Sequence, residues 1–157
     1  MTDIVDHQTR SKMMSGIKGK NTKPEMIIRK GLHAKGYRFR LHDSHLPGKP
    51  DIVLRKFMAV IFVHGCFWHG HDCHLFKWPT TRPEFWKKKI ESNKQRDEEY
   101  ISALENIGWR VIVVWECALK GKAKMDPCLL LGEIGSWLEN GSVNMEIRGL
   151  DNVHKSV

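Results

Sequence analysis

Apolar runs and helix-spaced segments alternate along the chain, and their order predicts its architecture. Thr22-Lys23-Pro24-Glu25 is a helix start: Thr22 fits the cap, Pro24 the first turn and Glu25 the capping-box position. Met26, Ile27, Leu32 and Ala34 supply apolar positions, and Gly36 stops the helix. Residues 37–41 alternate with period two, as a strand with its aromatics turned inward. A loop follows over 42–49, punctuated by Pro47-Gly48 and then Pro50. Residues 51–54 and 58–63 form two strands joined tightly through Arg55-Lys56. The second is apolar throughout, which predicts a central strand covered on both faces. Thr81-Arg82-Pro83-Glu84 repeats the helix-start pattern and opens a long helix that ends at Gly108. Phe85, Trp86 and Ile90 anchor its beginning, and Ile101, Leu104 and Ile107 its end. Its middle, 91–99, is almost wholly polar and faces solvent or a charged partner. Residues 109–115 are another buried strand, and Asp126-Pro127 starts a last helix carrying Leu129, Leu130, Ile134, Trp137 and Leu138. The fold class is therefore α/β, a mixed sheet flanked by helices. Three segments are expected: a basic arm over 1–21, one domain over 22–140, and a tail over 141–157 to which no element is assigned.

Composition narrows the class of partner. A chain of 157 residues with 41% hydrophobic and 28% charged residues can bury a core of its own. Its net charge is +8 and its pI about 9.4, which favours an anionic partner, nucleic acid first. Arg10, Lys12, Lys18 and Lys20 concentrate charge in the arm. No apolar run approaches the roughly 20 residues that span a bilayer, and no basic-then-apolar leader opens the chain. A cytoplasmic protein with no membrane partner is expected, its thiols reduced. The four cysteines then read as metal ligands or core residues rather than disulfides.

Residues 60–74 gather most of the chemistry. Cys66, His71 and Cys73 are three metal-type ligands on a Gly-containing loop, and Cys117, after the 109–115 strand, is the expected fourth. His69 and His74 stand as alternates, and two buried cysteines with surface histidines are the plainer reading. Cys128 is expected in the core. Asp51, set by Pro50 at a strand start, offers hard oxygen for Mg2+ if its strand neighbours the one ending at Val63-His64. His64 and His69 are then candidates for proton transfer, while Glu25 is accounted for locally by its capping box. Phe67, Trp68 and Trp86 either pack over the ligand loop or stand out to stack on bases.

These residues carry a family resemblance. Pro50-Asp51, the run from Phe62 through His69, Trp109-Arg110-Val111 and Trp115-Glu116-Cys117 resemble the very short patch repair (Vsr) endonucleases. Thr81-Arg82 to Trp86 and the Thr9-to-Met14 arm fit as well, so the likeness covers roughly residues 7–140. It implies a restriction-endonuclease-like fold and a DNA mismatch endonuclease that nicks 5′ of the thymine in a T·G mismatch left by deamination of 5-methylcytosine. It also implies Mg2+ on Asp51 and the Val63 carbonyl, with His69 activating water and His64 and Glu25 assisting. Structural Zn2+ falls on Cys66, His71, Cys73 and Cys117. Phe67, Trp68 and Trp86 become a wedge entering the major groove, and the arm with Arg10, Lys12 and Met14 grips the minor-groove side. The protein would act as a monomer, with mismatch-repair proteins as further partners. The chain departs from the wider nuclease superfamily, which has Glu-x-Lys where Phe62-Val63-His64 stands, and from family members with Thr at Val63. Two rivals are a restriction-type nuclease cutting matched sites and a non-enzymatic zinc DNA-binding module.

Overall fold

The computed structural model describes residues 21–150. The arm with Arg10, Lys12 and Met14, and the tail beyond Leu150, lie outside the described residues. Within them the elements run α1 (Lys23–Ala34), β1 (Arg40–Leu41), β2 (Ile52–Leu54), β3 (Ala59–His64), α2 (Pro83–Asn106), β4 (Arg110–Trp115), α3 (Pro127–Asn140) and β5 (Met145–Ile147). The five strands form one mixed sheet in sequential order. β1, β2 and β3 pair antiparallel, and β3–β4 and β4–β5 are parallel.

Alternation along the strands divides the core. Ala59 and Ile61 of β3, with Ile112 and Val114 of β4, face Ile28 and Leu32 of α1 and Leu130, Ile134 and Trp137 of α3. Val60, Phe62, Val111 and Val113 face the other way, toward Leu104 and Trp109 under α2. β3 is thus central and covered on both faces, as its unbroken apolar run required. The parallel β3–β4 pair needs a long crossover, which the 65–82 loop and α2 supply. No helix among the described residues is long and apolar enough to cross a membrane.

Several local expectations change. The strand over 37–41 shrinks to Arg40–Leu41, because only these two residues find partners, on Val53 and Ile52. Tyr37 and Phe39 still pack on the core. In α1 the buried pair is Ile28 and Leu32, an i, i+4 stripe, while Ala34 is exposed. Thr81 does not cap α2; Arg82 holds that position in a left-handed backbone with φ 51° and no side-chain cap bond. Cys128 is exposed rather than core, since it lies off the stripe of Leu130, Leu131, Ile134, Trp137 and Leu138, and Leu129 is exposed with it. The tail begins with β5, held by Asn144, whose side-chain oxygen accepts from the Val111 amide at 2.8 Å. Arg110 ties the sheet to α3, donating to the Trp137, Leu138 and Gly141 carbonyls and stacking on Trp137.

α1 and α3 meet at Gly31, where an added Cβ would stand 2.2 Å from Leu131 Cδ1. Gly31→Ala gains about 1 kcal/mol of helix propensity but meets an overpacking cost of about 1–3 kcal/mol. Net destabilisation of up to about 2 kcal/mol is expected in urea unfolding, and it should shrink when Leu131→Ala makes room in the double variant.

Candidate active site

Strand geometry delivers two clusters to one end of the sheet. β2 enters where β3 leaves, so Asp51, just before β2, lies beside the end of β3. Its Oδ2 accepts from the Val63 amide at 2.7 Å. Glu25 reaches the same place from the first turn of α1 and is buried at 1% exposure, too deep for a cap alone. Half of the capping box forms, with Thr22 Oγ1 accepting from the Glu25 amide at 3.4 Å. The Glu25 carboxylate accepts from the Asn21 amide (3.0 Å), pairs with Arg29 (3.3 Å) and meets His42 Nε2 (2.9 Å). Glu25, His42 and Asp51 offer ligand atoms within 4.8 Å of one another and so could hold a cation.

His64 and His69 complete this side. Their rings stack with centroids 3.8 Å apart and planes 1° from parallel. His69 Nδ1 meets Asp97 Oδ2 at 2.5 Å, which fixes the ring and leaves Nε2 for chemistry. Burial holds the His64 pKa well below its ordinary value, with the charges of His69 and His71 adding to the effect. His64 is therefore neutral, and its buried Nδ1 has no hydrogen-bond partner among the described residues. Burial also drives the Asp51 carboxyl up to about 7. Glu25 pushes the same way, while the Val63 amide and His69 oppose it. Asp51, Val63, His64, His69, Asn93, Arg96 and Asp97 line one cleft of about 610 Å3.

The second cluster sits where β3 and β4 run out. Cys66, His71, Cys73 and Cys117 are all buried, with ligand atoms within 4.8 Å of one another. The Cys117 amide donates to Cys66 Sγ (3.3 Å), and Cys117 Sγ meets His71 Nδ1 (3.6 Å). The Cys66 thiol lowers the Cys117 pKa to about 4, helped by His71 and the Gly149 amide, while the Cys66 thiol itself is raised. Such a set could hold a thiolate-loving metal. The alternate ligand His69 belongs to the cleft instead, and His74 is outside the four-residue cluster. Trp115 is the wall between the two sites, stacked on His71 (4.0 Å) and edge-on to His64 (5.3 Å).

The ligand loop folds as a tight turn, with the His69 amide on Gly65 O (3.2 Å) and the His71 amide on Cys66 O (2.9 Å). Gly70 takes φ 64° and lies so close to α2 that a Cβ would meet Ile90 at 2.6 Å. Asn93 of α2 donates to the Trp68 carbonyl at 2.9 Å. Phe67, Trp68 and Trp86 are half-buried and touch one another, with Phe67–Trp86 centroids 5.4 Å apart. The rings cover the loop and still reach solvent.

Asp97 and His42 were not among the expected site residues. Asp97 had a signal: Asn93, Arg96, Asp97 and Tyr100 recur at i, i+3, i+4 and i+7 in the polar middle of α2, which faces the cleft. His42 had none, as its place depends on a loop fold with φ 47°.

Because the folded chain holds the Asp51 proton more tightly than the usual 3.8, Asp51 supports stability at low pH. That contribution is complete below about pH 4 and is lost as pH rises through about 7. Denaturant titrations from pH 4 to 8 should show the wild-type stability falling relative to Asp51→Asn; parallel curves would exclude the shift.

The family described as DNA mismatch endonuclease Vsr matches residues 2–75. The DNA mismatch endonuclease Vsr of Escherichia coli K12 is 44% identical over 152 residues, covering 96% of this chain and 97% of that protein. The type II nicking enzyme V.XorIIP of Xanthomonas oryzae pv. oryzae is 50% identical over 129 residues, 82% of this chain and 95% of its own. V.NmeAIP of Neisseria meningitidis, also a type II nicking enzyme, is 50% identical over 123 residues, 78% and 88%. With that identity along nearly the full length of both chains, this protein belongs to the Vsr family of DNA mismatch endonucleases.

Proposed function

We propose that the protein nicks one strand of duplex DNA on the 5′ side of the thymine in a T·G mismatch, by Mg2+-dependent phosphodiester hydrolysis. The observation that carries this reading is the single cleft in which Asp51, Val63, His64 and His69 converge at the end of the sheet. Family membership supports a DNA endonuclease, and the cleft supplies a matching donor set. Asp51, with the Val63 carbonyl and Glu25 nearby, offers the hard oxygens that Mg2+ prefers. Bound there, Mg2+ would polarise the phosphate and offset charge that develops during attack. Cys66, His71, Cys73 and Cys117 suit Zn2+ in a closed, structural site.

The chain's own groups supply the rest. His69, steadied by Asp97, takes the proton of the attacking water through Nε2. His64 is neutral and braces the His69 ring from below. Glu25 holds His42 and keeps negative charge beside Asp51. Phe67, Trp68 and Trp86 wedge into the duplex, where a mismatched step is cheapest to unstack. Arg10, Lys12 and Met14 in the 1–21 arm grip the opposite groove, a role that rests on resemblance alone. The remaining parts of the reading are a restriction-endonuclease-like fold for the catalytic unit over 22–140, and a monomer in the cytoplasm that meets mismatch-repair proteins. The 141–157 tail contributes β5 to that unit.

The test is a cleavage assay with Mg2+ on T·G, U·G and fully paired duplexes. A single nick 5′ of the mismatched thymine is expected. Equal cutting of paired duplex, or cuts in both strands, would favour a restriction-type nuclease. Asp51→Ala should lower the rate by at least about 10²–10³-fold while DNA binding persists.

A further inference from the structure

Two cations in the cleft have no part in the roles above. Among the residues lining it, only Lys49 and Arg96 carry a permanent positive charge. They come from different elements: Lys49 from the loop that leads through Pro50 into Asp51, and Arg96 from α2 beside Asp97. Three other arginines are already paired. Arg29 pairs with Glu25, Arg55 with Asp43 and Arg148 with Asp72. Lys49 and Arg96 make no ion pair among the described residues, although Asp51 and Asp97 line the same cleft. The nearest in sequence to Arg96, Asp97, is taken by His69.

The Lys49 wall is built to hold its place. Lys49 adopts a left-handed backbone with φ 48°, rare for a residue with a side chain, and its amide donates to Leu46 O at 3.1 Å. Gly48 before it takes φ 77° and presses on Tyr100 of α2, where a Cβ would come within 2.8 Å of the ring. Tyr100 is one helical turn beyond Arg96, on the same face. Loop and helix are thus packed together at Gly48 and Tyr100, and both cations line the cleft that they border.

The cleft must admit a phosphodiester past the carboxyl groups of Asp51 and Asp97, with Glu25 buried beside Asp51, and ionised carboxylates repel phosphate. We infer that Lys49 and Arg96 form a phosphate clamp on the strand being cut. Lys49, two residues from Asp51, binds a non-bridging oxygen of the reacting phosphate. Arg96, on the His69 wall, binds the adjacent phosphate of the same strand through its guanidinium fork. Both are substrate-binding groups, and the assignment rests on the nuclease reading proposed above.

Lys49→Gln and Arg96→Gln, with Lys30→Gln on α1 as a control that lines a different groove, test the clamp in the full-length protein. Without Mg2+, affinity for duplex DNA is measured against salt concentration. Each clamp variant should flatten the slope of log K against log salt by about 0.9, and equally for T·G and paired duplex, since phosphates carry no sequence information. In nicking with Mg2+, both variants should raise KM about tenfold, and Lys49→Gln should also lower kcat about tenfold. Melting temperatures should match the wild type, and Lys49→Arg and Arg96→Lys should restore the slope. Slopes and KM values like those of Lys30→Gln, or a loss confined to mismatched DNA, would overturn the clamp. Should the wild type fail to nick T·G duplex, the proposed function falls, while the salt slopes still decide whether Lys49 and Arg96 hold phosphate.

Discussion

The parallel ladder between β3 and β4 is the constraint from which both sites follow. Its register sets His64 opposite Trp115, so the two strands end side by side. Two residues further along each chain stand Cys66 and Cys117, which meet within hydrogen-bond reach. The β2–β3 pairing adds Asp51 at the same end. A shift of the β3–β4 register by one residue would turn His64 to the wrong face and part Cys66 from Cys117. Each face of the two strands packs against a different set of side chains, and that close fit opposes the shift.

The two clusters then lie back to back, with Trp115 between them. On one side, three thiols and an imidazole close around a small volume. On the other, carboxylates and two stacked imidazoles open onto a cleft. The loop between Gly65 and Phe76 also joins them, held by tight turns, the Cys66 amide bond to Glu116, the His69–Asp97 pair and the Asn93 bond from α2. The C-terminal segment adds a strap: Arg148 donates to Asp72, and the Gly149 amide to Cys117 Sγ at 3.2 Å. Burying Asp51 costs folding free energy as pH rises above the ordinary carboxylate range, and keeping His64 uncharged costs it below the ordinary histidine range. A site that gathers titratable groups for chemistry pays in this way for proximity.

Much of this was legible in the sequence, for physical reasons that can be named. Long apolar runs with turn residues between them located β3, β4 and the helices, because burial on two faces leaves no room for polar positions. Soft ligands clustered on a glycine-bearing loop pointed to the Cys66, His71, Cys73 set, and the strand before Cys117 allowed it to join. Elsewhere the deciding contacts are long-range. β5 has only three residues and exists because β4 offers an open edge. His42 and Lys49 enter the cleft through left-handed backbones that no periodicity encodes. Glu25 carried two compatible signals, a helix cap and a site carboxylate, and the sequence could display only the nearer one.

The account stands on the claim that the Cys/His cluster, once metallated, holds the loop that presents His69 and the aromatic rings. Amide hydrogen exchange on the Zn2+-loaded and chelator-stripped protein tests it most directly. Stripping should abolish protection over residues 65–76, 116–119 and 148–150, while 59–63 and 110–114 in the sheet centre stay protected. A loop equally protected without the metal would contradict it.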